Sequence, residues 1–187
     1  MNIKLNNTKN DISFKQNEYV LDSNQDSYGN FKISYTNGDV YYGSQQNHTN
    51  HGMGQMIYAN GDVYYGNWKN DHHNGMGQMT YANGDIYYGN WKDSEQNGKG
   101  KIIFYCGDLY KGSFSSGYIH GKGLMLYDNG DIYKGVWEYC NFIEGTIYYT
   151  NGTLKTVKVS NQLHLPYSNG DDFYNKWWKN EYDKKNI

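Results

Sequence analysis

Four histidines, His48, His51, His72 and His73, form the one group of metal-ligand residue types that clusters along this chain. Two imidazoles on neighbouring loops can share a transition-metal ion. No acidic or thiol ligand accompanies them at a fixed spacing, so they read as solvated loop histidines and no metal is assigned. A second candidate, Gly117-Tyr118-Ile119-His120-Gly121-Lys122-Gly123, has the look of a phosphate loop. It is one residue short and lacks the Ser or Thr that would bind magnesium. A third is the series Asp39, Asp62, Asp85, Asp108 and Asp131, each directly after a glycine. One carboxylate per 23 residues cannot supply the roughly six to eight oxygens of a calcium site, so these acids are read as acceptors for backbone donors in turns. Cys106 and Cys140 are too few for a disulfide framework and are expected as unpaired thiols. No nucleophile, base and oxyanion donors come together; no catalytic residue, cofactor or enzymatic activity is expected.

What remains is the element that carries those acids. Gly-Asp-x-Tyr-x-Gly occurs five times at a constant spacing of 23 residues, beginning at Gly38, Gly61, Gly84, Gly107 and Gly130. Seven residues before the later motif glycines lie Gly54, Gly77, Gly100 and Gly123, each preceded by Gly52, Gly75, Gly98 or Gly121 two positions earlier. An aromatic stands three residues before each motif glycine (Tyr35, Tyr58, Tyr81, Phe104, Tyr127). Trp68, Trp91, Phe114 or Trp137 follows seven after it, with Gln45 in the first unit. Identity at a fixed period marks an array whose units complete their cores by stacking on one another.

Within a unit, Asn83-Gly84 between two aromatic and β-branched runs signals a hairpin but permits two registers. A tight two-residue turn would pair Tyr81 with Ile86 and scatter the recurring columns over both faces. A three-residue loop, Ala82-Asn83-Gly84 with the glycine left-handed, pairs Met79 with Tyr87, Gly77 with Gly89 and Gly75 with Trp91. Side chains alternate along a strand, so this register collects every recurring column on one face. It is the register expected here. On that face glycine alternates with large rings, and a ring from a neighbouring strand can lie flat over the hole each glycine leaves. The opposite face, with Met76, Gln78, Thr80, Ile86, Tyr88 and Asn90, is less uniform.

The run Tyr58-Ala59-Asn60-Gly61-Asp62-Val63-Tyr64-Tyr65-Gly66-Asn67-Trp68, followed by Gly75 and Gly77, resembles the MORN repeat family, and the resemblance extends over residues 28–152. It implies an all-β fold, an elongated, twisted antiparallel meander or solenoid of successive hairpins with a groove along one side. Around the array, residues 1–13 are expected as a polar tail, 14–27 as a degenerate N-terminal cap, 153–180 as a degenerate C-terminal repeat or cap, and 181–187 as a second polar tail. Tyr167 to Trp177 fits a further hairpin, and Phe173, Trp177 and Trp178 also fit a short amphipathic helix opened by Asp171.

Composition agrees with a non-catalytic repeat array. The chain has 187 residues, 23 Gly, 22 Tyr and only 37% hydrophobic residues, so rings and glycines must make up the core. Residues 1–11 lack the apolar stretch of a signal peptide and no segment approaches a membrane span. The expectation is a cytoplasmic protein, peripheral to a membrane or cytoskeletal structure. All 17 basic residues are Lys and the net charge is −2, which gives little counterion-release drive toward nucleic acid. Two partner classes stay open. The first is a protein, presented as a helix or extended peptide, or a second copy of this chain, held by a scaffold. The second, which the family resemblance implies, is weak contact with anionic phospholipid or phosphoinositide head groups, for which clusters of four to eight basic residues are usual. The partner groove is placed on Tyr64, Trp68, Tyr87, Trp91, Tyr110, Phe114, Tyr133 and Trp137, with packing between repeats as the alternative use of the same rings.

Overall fold

The computed structural model describes residues 20–27 and 29–158. Contacts divide the chain into a unit Met1–Val157 and a unit Lys158–Ile187. All of the second but Lys158 lies outside the described residues, and with it the hairpin or helix expected around Tyr167 to Trp177. The described residues form thirteen strands: β1 (Val20–Gln25), β2 (Phe31–Tyr35), β3 (Val40–Gln46), β4 (Thr49–Ile57), β5 (Val63–Lys69), β6 (His72–Thr80), β7 (Ile86–Lys92), β8 (Glu95–Ile103), β9 (Leu109–Ser115), β10 (Tyr118–Leu126), β11 (Ile132–Glu138), β12 (Asn141–Tyr148) and β13 (Leu154–Lys158). They lie side by side in chain order as one antiparallel sheet that does not close on itself. The fold is the all-β meander of hairpins that the family resemblance implies.

Each repeat turns at its Gly-Asp step through the three-residue loop. In the third unit Met79 pairs with Tyr87, Gly77 with Gly89 and Gly75 with Trp91. The loop is closed by Tyr81 N–H donating to Asp85 O (2.9 Å) and Gly84 N–H donating to Tyr81 O (2.9 Å). Gly38, Gly61, Gly84, Gly107 and Gly130 take φ of 87° to 98°, a region that only glycine enters without strain.

The acids after these glycines do more than close their own turns. Asp39 Oδ1 accepts from Ala59 N–H of the next repeat (2.8 Å), Asp62 from Ala82 (2.8 Å), Asp85 from Tyr105 (2.9 Å), Asp108 from Asp128 (2.8 Å) and Asp131 from Thr150 (3.0 Å). Each turn is thereby tied to its successor by a charge-assisted bond.

The segments between repeats are also tight turns. Asn47-His48, Asn70-Asp71, Asp93-Ser94, Ser116-Gly117 and Tyr139-Cys140 each place two successive residues at positive φ, the signature of a type I′ hairpin. The N–H of the second residue reaches back to the preceding unit, as Asp71 to Asn50 O and Ser94 to His73 O (both 3.0 Å). Between such a turn and the glycine row the register shifts, from Gly66 with Gly77 to Trp68 with His73. Gly52, Gly75, Gly98 and Gly121, at φ of 74° to 99°, occupy these bulges, which is why Gly-x-Gly recurs.

The core is a set of rings laid over glycines. From Gly43 on β3 to Gly145 on β12 every strand contributes one glycine to a continuous cross-strand row. The tyrosines of the first four motifs lie flat against it: a Cβ on Gly77 would stand 2.6 Å from Cζ of Tyr64. Trp68, Trp91 and Phe114 are then each wedged edge-on between two motif tyrosines, while Trp137 lies between Tyr110 and Phe142. Trp91 meets Tyr64 at 5.4 Å and Tyr87 at 5.1 Å, and Phe114 meets Tyr87 at 4.9 Å and Tyr110 at 5.3 Å. T-shaped contacts of this kind contribute roughly 0.5–1.5 kcal/mol each beyond area burial. Because every such ring spans two repeats, they bind the array lengthwise.

Candidate functional site

Seven of the eight rings expected to line a partner groove are core. Tyr64, Tyr87 and Tyr110 are wholly enclosed, Trp68, Trp91, Phe114 and Trp137 are buried, and Tyr133 is partly buried against them. Most of their polar ends are occupied as well, the exception being the buried Nε1 of Trp137, which has no hydrogen-bond partner among the described residues. The hydroxyls of Tyr64 and Tyr87 donate to Asn67 O and Asn90 O (2.9 Å each), and that of Tyr110 to Ser113 O (3.2 Å). The indole N–H groups of Trp68 and Trp91 donate to Gly54 O and Gly77 O (3.2 and 3.3 Å). Burial pushes the phenol of Tyr110 up to about 12, and those of Tyr64 and Tyr87 higher still. A partner could touch the seven buried rings only by opening the array. They serve the alternative use, packing between repeats.

The histidine cluster does not assemble either. His48 sits in a turn and His72 is exposed, whereas His73 is buried, not solvated as its place in the sequence suggests. Its ring stacks on Tyr64 at 3.6 Å, lies edge-on to Trp68 and Trp91, and holds Nε2 2.8 Å from the Tyr58 hydroxyl. Burial, with the neighbouring His72 second, lowers its pKa to about 4. Among the described residues no three His, Cys, Asp or Glu side chains gather as a metal-ligand set. Cys106 replaces the asparagine of its turn, and burial raises its thiol.

The accessible surface is the other face of the sheet, whose side chains pair in rows across the strands. One row runs Tyr42, Gln55, Tyr65, Gln78, Tyr88, Lys101, Lys111, Leu124, Lys134 from β3 to β11. Its tyrosines are open to solvent, Tyr42 at 38%, Tyr65 at 58% and Tyr88 at 48%. Nearer the Gly-Asp turns a parallel row is apolar except at Thr80, with Ile57 paired to Val63, Thr80 to Ile86, Ile103 to Leu109 and Leu126 to Ile132. Two recesses interrupt the face. One, about 600 Å³, adjoins Tyr42, Met53, Gln55 and Tyr65; the other, about 860 Å³, lies beyond Tyr88 and is lined by Lys99, Lys101, Lys111, Lys122 and Lys134.

The lysine recess is absent from the linear reading, in which these residues are dispersed. The signal was nonetheless present inside the motif: Lys111 and Lys134 replace the tyrosine that Tyr42, Tyr65 and Tyr88 supply in the first three copies. Pairing Lys101 with Lys111 and Leu124 with Lys134 then needs only the hairpin register.

With this geometry in view, comparison with known proteins is direct. The MORN repeat family model matches residues 51–63, 64–86, 87–108 and 110–132, and residues 51–132 are a run of MORN repeats. The MORN repeat is a non-enzymatic repeat unit. No curated protein sequence matches the chain. Among solved structures, the SAS-4 TCP domain of Drosophila melanogaster, in complex with a proline-rich motif of Ana2, aligns with a TM-score of 0.33 and 15% identity over 82% of this chain and 98% of that one. The TCP10c domain of Drosophila melanogaster Sas-4 aligns at 0.25 and 16% over 75% and 99%. A streptogramin B lyase aligns at 0.18 and 8% over 76% and 84%. At such TM-scores these likenesses carry no functional reading.

Proposed function

We propose that this chain is a non-catalytic MORN-repeat scaffold that holds a protein partner, as a helix or extended peptide, on the open face of its sheet. The setting proposed for it is a cytoskeletal or membrane-associated complex in the cytoplasm. One observation carries the reading: the rings of the repeat motif are consumed by packing, while Tyr42, Tyr65 and Tyr88 stand solvent-exposed in one row beside an apolar one. Rigid aromatic side chains are the usual anchors of protein interfaces, and a face built on a hydrogen-bonded sheet offers them preorganised.

The lysine-lined recess supports a second reading, a peripheral tether to anionic phospholipid head groups. Each Lys near an anionic surface contributes about 1 kcal/mol, and five line the recess. Liposome flotation at low and physiological salt separates it from the scaffold reading, which expects weak binding that salt abolishes.

Photo-crosslinking in the native cell tests the scaffold reading. Benzoylphenylalanine at position 65 or 88 should capture one and the same partner, and the same probe at the exposed turn residue Asn83 should not. A partner captured from Asn83 alone, or one still bound by a folded Tyr65→Ala/Tyr88→Ala chain, would move the site off this face. A second copy of the chain as the captured species would make the scaffold self-associating, which size-exclusion light scattering reads independently.

A further inference from the structure

We propose that the recess over β8 to β11 binds an acidic polypeptide segment in extended conformation, with its carboxylates on the lysines and an apolar side chain between them. The inference deepens the docking reading of the open face and rests on it.

Charge segregation is the first support. The chain has 17 lysines and a net charge of −2, yet five lysines line this one recess and no carboxylate does. The second is that the fold carries an unfavourable arrangement. Lys101 and Lys111 stand directly opposite one another on adjacent strands, and like charges so placed destabilise a sheet. Lys134 continues the row beyond Leu124. An anionic occupant relieves that repulsion; no neighbouring side chain in the recess does.

Spacing selects the shape of the occupant. Strands lie about 4.8 Å apart, so Lys101 on β8, Lys111 on β9 and Lys134 on β11 span roughly three strand spacings, about 14 Å. Lys99 and Lys122 form a second line two residues along β8 and β10. An extended chain presents side chains on one face about every 6.6 Å, so two or three alternating acids reach the row together. Leu124 stands between Lys111 and Lys134 in the row, Val136 ends the second line opposite Lys122 with Glu144 beyond it on β12, and Met76 and Tyr88 border the site, which places an apolar residue among the acids. A bilayer is broad and planar, whereas these lysines converge over a recess; this geometry favours a rod-like peptide over a lipid surface.

The test uses the purified full chain and a fluorescein-labelled dodecapeptide of Glu residues with one central Leu. Fluorescence polarisation should show saturable binding that weakens as salt rises, and the peptide with Gln in place of Glu should not bind. Lys101→Gln/Lys111→Gln/Lys134→Gln should lose at least tenfold in affinity with its thermal midpoint unchanged or raised. Lys69→Gln/Lys92→Gln/Lys155→Gln, with the same loss of charge outside the recess, should bind as wild type. Equal binding of the Glu and Gln peptides, or equal loss in the two triple variants, would overturn the proposal. So would flotation on phosphatidylserine vesicles without peptide binding. Crosslinks at positions 65 and 88 without peptide binding would also overturn it and leave the docking face standing. Peptide binding without those crosslinks would support the recess chemistry and reject the docking role of the tyrosines.

Discussion

His73 Nε2 lies 2.8 Å from the hydroxyl of Tyr58, fifteen residues earlier and one repeat back. The same link recurs with other chemistry. Gln96 Nε2 donates to the Tyr81 hydroxyl at 2.8 Å, and Asn50 Nδ2 to that of Tyr35 at 3.5 Å. One repeat further along, both partners become apolar together, Phe104 and Ile119, and both are buried. A buried polar group without its partner costs about 1–3 kcal/mol, so where the two positions are buried they change in concert; the next pair, Tyr127 and Phe142, is mixed and only partly buried.

His73 should make the array sensitive to acid. Its pKa is about 4 in the fold against 6.5 for the free side chain, so the unfolded chain binds the proton more readily. The stability contributed by the neutral imidazole is therefore present in full above pH 6.5 and is lost as pH falls toward 4. At roughly 1.4 kcal/mol per pH unit this amounts to about 3 kcal/mol. Urea midpoints measured from pH 7 to pH 4 should fall accordingly. His73→Gln, which copies Gln96, should flatten that part of the profile; an unchanged slope would show that other groups control it.

How much of this was legible in the sequence depended on distance along the chain. Asn83-Gly84 and the 23-residue ruler disclosed the Gly-Asp turn and its register because both strands of a hairpin are local. The bulges at Gly52, Gly75, Gly98 and Gly121 were not, since nothing in Gly-x-Gly alone says which glycine is left-handed. His73 read as a loop residue because the segment from Trp68 to Gly75 looks like a linker, yet its two-residue turn at Asn70-Asp71 leaves His73 paired with Trp68. Within a hairpin the pairs of the lysine recess follow from the register alone, but joining Lys111 to Leu124 across the next turn needs the bulge counted. Among the candidate site residues, the turn glycines and acids were placed by local chemistry. The ring column was identifiable as a column, but whether it faced a partner or a neighbouring repeat is decided by depth, which a period cannot encode.

The glycine row is a steric requirement, separable from the φ requirement at turns. Gly77→Ala would force a Cβ to 2.6 Å from Tyr64 Cζ, and overpacking a well-filled core typically costs about 1–3 kcal/mol, occasionally more. Gly117 has φ +80° but open space around it, so Gly117→Ala should show only the conformational cost, about 1 kcal/mol. Chemical denaturation of both variants should rank Gly77→Ala as the more damaging. The reverse order would mean that the tyrosines can shift off the row.

The last interhairpin turn is poorly matched to its geometry and should be improvable. Tyr139 and Cys140 adopt φ of 46° and 65°, which type I′ turns ordinarily fill with Asn-Gly. Tyr139→Asn/Cys140→Gly should raise stability by about 1 kcal/mol through relief of left-handed strain, visible as a higher thermal midpoint. A fall would show that the Tyr139 ring, edge-on to Tyr118 at 5.8 Å and to His120 at 5.1 Å, contributes more than the strain removes.

Neighbouring rings on opposite faces should respond oppositely to truncation. Trp91 is buried between Tyr64 and Tyr87 and lies edge-on to His73, whereas Tyr88, three residues earlier, is 48% exposed. Removing a buried Trp side chain costs about 3–5 kcal/mol, a large part of the about 5–15 kcal/mol that holds an ordinary domain together. Trp91→Ala should therefore broaden or abolish cooperative unfolding, and loss should spread to both adjacent repeats because the indole bridges them. Tyr88→Ala should shift the midpoint by less than about 1 kcal/mol, the range of surface substitutions, while weakening capture of the partner. Circular dichroism melts read the first effect and crosslinking yield the second. A folded Trp91→Ala chain with normal melting would place the indole outside the structural core and return it to the list of recognition residues.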